Sequence, residues 1–336
     1  MRGLRFGQKV STVAGALLVL VTAAGCMPAA TPSASVSSGQ TTTAAAVPSL
    51  AAAAPAGRDL TSWPFASTSP WNMPLGSGAT YDSRDVISTA NSSPWINSTS
   101  YSVPVVRAAA SDPLVTINVT GGTYPGPVTL HLPTTARPAA GTDMHLAVIS
   151  PDGTHSDEFW SLDLASRSAG VYIPVDLAGS GVGIGWARAT GVSLLGGLIR
   201  SDETTAIPHA LAMSLPYTLL GDGNVWPAIS NDDGGAPGFV PEGSLLAIPA
   251  GTPRPSGLSP MGNAIFDALT HYGAYVVDQT GGGSAAVFYT EPSTDASSVN
   301  AAVTDMSQVM PLLRRVTNNS PTSIGGPGNR LAPLAP

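Results

Sequence analysis

The chain has 336 residues, 43% of them hydrophobic and 10% charged, with 37 Gly and 31 Pro. Gly and Pro at this density, with charged helix faces nearly absent, exclude collagen, coiled coils and ordinary helical bundles. Past Arg2, Arg5 and Lys9, 11 Arg face 21 Asp and Glu, so there is no basic footprint with which to displace the counterions of a nucleic acid.

The three basic residues precede an apolar run at residues 13–21 (VAGALLVLV) and then TAAGC, which ends at Cys26, the one cysteine of the chain. A run of this length is too short to span a bilayer as a helix and suits the core of an export signal. The small residues Ala23, Ala24 and Gly25 before Cys26 resemble the bacterial lipobox, with Ala23 where that family usually has Leu. The resemblance implies a lipoprotein signal peptide over residues 1–25, cleavage before Cys26 and a diacylglycerol thioether on its sulfur. The protein is then exported and lipid-anchored to the outer face of the plasma membrane. An ordinary secretory signal followed by a cysteine is the alternative; a lone thiol has no disulfide partner in this chain. Residues 26–57 carry the lipidated cysteine and an uncharged Ala/Ser/Thr/Pro linker. Such a linker cannot bury enough apolar surface to order itself, and as a flexible coil it spans roughly 30 Å.

Residues 58–319 are expected to fold as one domain, with a flexible tail over 320–336. β-Branched runs at 114–119 and 128–132 flank GGTYPGP and read as a hairpin. The runs at 144–149 and 157–164 flank SPDGTHS, whose Pro-Asp-Gly supplies the turn. Further strands are expected at 170–175, 207–215, 245–248, 275–278 and 285–289. Only 260–272 and 301–316 have helical spacing, the first with Pro in its opening turn and Gly273 as a stop. The fold class is mainly β: a single β-sandwich or jelly-roll-like domain with one or two short helices.

Four segments in order, SPWNMPLG (69–76), DGTHSDEFW (152–160), ATGVSLLGGLI (189–199) with IPHALAMSLP (207–216), and HYGAYVVD (271–278), resemble a group of secreted bacterial and fungal proteins. That resemblance implies a β-sandwich and brings no catalytic residues with it, so the site is argued from chemistry.

Alternation along 157–164 places Glu158 and Trp160 on one sheet face. A carboxyl beside an indole is a pair that sugar sites use, and partial burial favours the protonated form a general acid needs. The other reading is an edge strand with solvated acids. Along 207–215 His209 aligns with Leu211, Met213 and Leu215, either as a satisfied core residue or as a base lining a concave face. His145 shares a face with Asp143, and the turn brings His155, Asp157 and Glu158 near. Trp186, after the glycines of 181–185, offers a second stacking surface. The candidate catalytic residues are therefore Glu158, His209, His145 and Asp143, and the candidate substrate-binding residues are Trp160 and Trp186.

No two-His helical spacing and no further cysteine supports zinc, and no metal is assigned to the catalytic set. Asn231, Asp232 and Asp233 before Gly234 and Gly235 carry short oxygen ligands that suit calcium; a plain turn is the other reading. Residues 181–185 lack the strand-to-helix context and lysine of a nucleotide loop, and no Gly-x-Ser-x-Gly elbow occurs. Two functions follow. One is a domain that binds or hydrolyses an extracellular or cell-wall polysaccharide, as a glycoside hydrolase rather than a lyase. So few arginines favour a neutral glycan. The other is a non-catalytic envelope module for structure or interaction.

Overall fold

The computed structural model describes residues 59–88, 92–232, 235–281 and 285–331. The signal segment, Cys26, the linker and Asp233 lie outside the described residues. In chain order the strands are β1 (Ser93–Asn97), β2 (Val105–Arg107), β3 (Leu114–Val119), β4 (Gly126–His131), β5 (Leu146–Ile149), β6 (His155–Trp160), β7 (Ser168–Ala169) and β8 (Val171–Asp176). They continue as β9 (Leu211–Pro216), β10 (Leu220–Asn224), β11 (Val240–Glu242), β12 (Leu245–Ala247), β13 (Ala274–Thr280), β14 (Ala285–Tyr289) and β15 (Arg314–Arg315). Two helices, α1 (Pro260–His271) and α2 (Ala296–Val309), complete the described elements. The domain is mainly β.

Period-two alternation divides the interior into three cores. In β5, Ala147 and Ile149 point into one cluster while Leu146 and Val148 point into another. Both faces of this strand are buried, which is why LAVI is a continuous apolar run. The sheet β2-β5-β6-β8 thus packs one face on the small sheet β4-β3-β7 and the other on the six-stranded sheet β1-β14-β9-β13-β12-β15. In β9, Ala212 faces that shared core, whereas Leu211, Met213 and Leu215 face away onto α1 and α2. The six-stranded sheet is mixed: β1 runs parallel to β14 and β9 parallel to β13. Among the described residues no helix is long and apolar enough to cross a membrane.

Several expected elements differ in extent. The second helix spans Ala296–Val309 rather than 301–316, because the Asp295 carboxylate caps it by accepting from Ser298 N–H at 2.8 Å. Pro311, with no N–H to give, sits in the short 3-10 turn Met310–Leu312 that follows. The strand expected from residue 207 begins at Leu211. Pro208 cannot donate to a ladder, and Ala210 N–H is spent on Trp71 O at 2.7 Å. β6 stops at Trp160, since Ser161 turns left-handed with φ 54°. Residues 320–330, expected as a loose tail, are bonded to the domain: Gly76 N–H reaches Gly325 O at 3.0 Å, and Arg330 Nη1 reaches Ile324 O at 3.0 Å and Pro74 O at 3.4 Å.

Candidate functional site

A cavity of about 660 Å³ opens where the ends of β6 and β13 meet the loop after β8. Its acidic wall depends on a β-bulge. β13 pairs Val276 with Met213 and then Asp278 with Ser214, so one extra residue, Val277, is inserted. Strict alternation would send Asp278 towards the helices with Ala274 and Val276; the bulge returns it to the side of Ser214, facing the pocket. There Gln279 N–H donates to Asp278 Oδ1 and to Asp232 Oδ2, each at 2.9 Å. Burial, the Asp232 charge and a carboxyl–carboxyl hydrogen bond push Asp278 well above the usual carboxylate range. The two carboxyls lie close enough that the charge of one disfavours ionisation of the other.

The loop after β8 supplies Trp186 and Arg188. It is closed by Ile184 N–H to Gly191 O at 3.1 Å and tied to β13 by Thr190 Oγ1 to Val277 O at 2.8 Å. Ser230 Oγ also donates to Ala189 O. This pinning leaves Trp186 49% exposed at the mouth and Arg188 1% exposed in the wall. The Arg188 guanidinium carbon lies 4.5 Å from the centre of the Tyr289 ring, whose hydroxyl pairs with Ser214 Oγ.

Two further rings line the pocket: Trp160, 40% exposed, and Tyr101, 43% exposed. Each lies against a glycine. A Cβ at Gly170 would fall 2.6 Å from Trp160 Cε3, and one at Gly141 would fall 2.7 Å from Tyr101 Cε1. Left-handed backbone at Tyr101 (φ 56°), Met144 (φ 40°) and Ser161 (φ 54°) turns the chain sharply beside these rings. Such non-glycine strain gathers at functional sites. Asp143, half-buried, accepts from the Thr142 hydroxyl at 3.4 Å; burial nevertheless pushes its carboxyl up.

Of the residues proposed from sequence, Asp143, His145, Trp160 and Trp186 line this one pocket. His145 is buried in its floor: Nε2 donates to Ala187 O at 3.1 Å, and burial with the Arg188 charge pushes the imidazole down to about 3, leaving it neutral. Glu158 shares the face of Trp160 but sits a pleat deeper, wholly buried, and does not line the pocket. Its carboxyl accepts from Ser193 Oγ at 2.5 Å and Leu194 N–H at 2.6 Å, and burial pushes it up to about 7. His209 lies elsewhere, buried with Nδ1 bonded to Ala210 O at 2.8 Å and Nε2 to Glu203 Oε2 at 3.0 Å. Burial opposes its charge, but the Glu203 carboxylate outweighs that and holds its pKa above the ordinary value.

The proposed calcium ligand Asp232 is joined by Glu242 and Asp278, with carboxylate oxygens within 4.8 Å of one another. Glu242 also accepts from Asp232 N–H at 2.8 Å. These three are the set with cation-ligand spacing among the described residues. Sequence reasoning passed over Asp278, Arg188, Tyr101 and Tyr289. The available signals were Asp278 ending an otherwise apolar strand and an arginine two residues after Trp186 in a chain poor in arginine. Comparison with known proteins gives no match: no family model fits the chain, and no curated protein and no solved structure is similar to it.

Proposed function

We propose that the protein is a cell-surface lipoprotein whose β domain holds an extracellular or cell-wall glycan in this pocket and hydrolyses it. The observation that carries the reading is the meeting of three exposed rings, Trp160, Trp186 and Tyr101, with the adjacent carboxyls of Asp278 and Asp232 in one cleft. Aromatic plates cover the apolar faces of pyranose rings while leaving their hydroxyls to polar partners. Asp278, kept protonated, donates its proton to the glycosidic oxygen as the bond to the anomeric carbon breaks. Asp143, from the loop before β5, takes a proton from the water that adds to that carbon. The reaction is the two-carboxylate hydrolysis of a glycoside, with water split between leaving oxygen and sugar.

Two results test this reading. Trp160→Ala should weaken retention on wall polysaccharide by roughly 30-fold, the loss of one stacking anchor, and leave the thermal midpoint close to that of the wild type. A large fall in the midpoint, with no glycan retained by the wild type, would return Trp160 to a packing role. Cys26→Ser should move the protein from the membrane fraction to the medium, since no other apolar stretch of about 20 residues could hold it. Unchanged partitioning in fractionated cells would remove the lipid anchor from the proposal.

A further inference from the structure

We infer that the glycan is acidic and that Arg188 seats a substrate carboxylate, as on a uronic acid unit, while His145 accepts from a neighbouring hydroxyl. The inference rests on the glycan reading and names its substrate class. Arg188 is 1% exposed, yet its Nε and Nη1 have no hydrogen-bond partner. Only Nη2 is engaged, donating to Leu194 O at 3.4 Å. Asp143, Asp278 and Glu158 feel its charge, but none forms an ion pair with it. An arginine desolvated to this degree without a bonded anion is costly, because the Tyr289 ring and one long bond to Leu194 O leave its Nε–H and Nη1–H donors unmet.

His145 repeats the pattern. With Nε2–H donating to Ala187 O, its Nδ1 lone pair is a buried acceptor without a partner. Gln279 Oε1, on the opposite wall, is another. Buried polar atoms are nearly always satisfied in folded proteins, so several unsatisfied atoms around one pocket mark where a ligand's groups belong.

The chemistry selects the ligand. Donors on a planar cation beside neutral acceptors match a carboxylate next to a hydroxyl, the arrangement on a uronic acid ring. A phosphate or sulfate dianion would meet one arginine and several carboxyls, too little positive charge to hold it. A neutral sugar would leave the guanidinium without its anion. Scarcity of arginine across the chain, which favoured a neutral glycan from sequence alone, does not bear on a subsite that needs only one.

The test measures binding of the full-length protein to polygalacturonate, alginate and glucuronan, each beside a carboxyl-reduced preparation in which the uronates have become neutral hexoses. At least one acidic polymer should bind about tenfold or more tightly than its reduced form, the worth of a charge-assisted contact. Arg188→Gln should erase that difference and Arg188→Lys should restore part of it. Equal or tighter binding of the reduced polymers by the wild type would overturn the acidic-substrate inference and leave the glycan reading standing; this comparison needs no variant to fold. Absence of binding to every polymer, acidic or neutral, would overturn both.

Discussion

Asp278→Asn should lower glycan turnover by roughly two to four orders of magnitude while leaving retention of the glycan intact, the loss expected when a general acid is removed. Asn keeps the shape and can still accept from Gln279 N–H, so the bulge in β13 and the backbone around it persist. The proton is what disappears. The alkaline limb of the pH–rate profile in the wild type reports the point at which Asp278 finally ionises, and burial together with Asp232 sets that point high. Asp232→Asn removes the like charge, lowers the Asp278 pKa and should therefore move the alkaline limb to lower pH. An alkaline limb that stays in place in Asp232→Asn would show that the pair does not set the proton's affinity.

Glu158→Gln should act on stability, and its effect should depend on pH. In the folded protein the carboxyl is held at about 7 against an ordinary 4.5. Because the folded-state pKa is raised, its contribution to stability is full below pH 4.5, falls as the unfolded chain ionises first, and levels off above about pH 7. The whole excursion is about 3 kcal/mol. Glutamine does not titrate, so this slope vanishes. The amide supplies only one acceptor for two donors, Ser193 Oγ and Leu194 N–H, and the donor left unmet costs about 1–3 kcal/mol. At pH 5 the variant should therefore be clearly less stable than the wild type, and at pH 8 the gap should close or reverse. Denaturant midpoints at the two pH values measure this; a gap independent of pH would mean that Glu158 is not titrating in the interior.

Sequence patterning located elements whose surroundings are local and missed those set by the tertiary fold. β3 and β14 occupy the expected 114–119 and 285–289, since a β-branched or apolar run bounded by turn residues is a signal in itself. α1 follows from its Ser259 cap and from Gly273, whose φ of 82° ends the helix. The two-residue β7 and β15 and the polar β10 carry no such run and form through partners distant in the chain. Alternation placed Glu158 and Trp160 on one face, but it says nothing of depth. One pleat separates a carboxyl sealed in the sheet-to-sheet core from an indole at the pocket mouth. The bulge at Val277 was equally invisible, because VVDQT reads as a plain alternating strand, and with it went Asp278. Arg188 was hidden for a different reason: only the pinned loop after β8 buries it.

The function we propose has one pocket both grip and cut a glycan. Its most direct measurement incubates the full-length wild type, Asp278→Asn and Trp160→Ala with a panel of neutral and acidic wall polysaccharides, and follows glycan retained and reducing ends released. The expected result is retention and release by the wild type, retention without release by Asp278→Asn, and little of either by Trp160→Ala, with all three melting alike. A wild type that neither retains nor cuts any polymer, or an Asp278→Asn protein that cuts as well as the wild type, would contradict it.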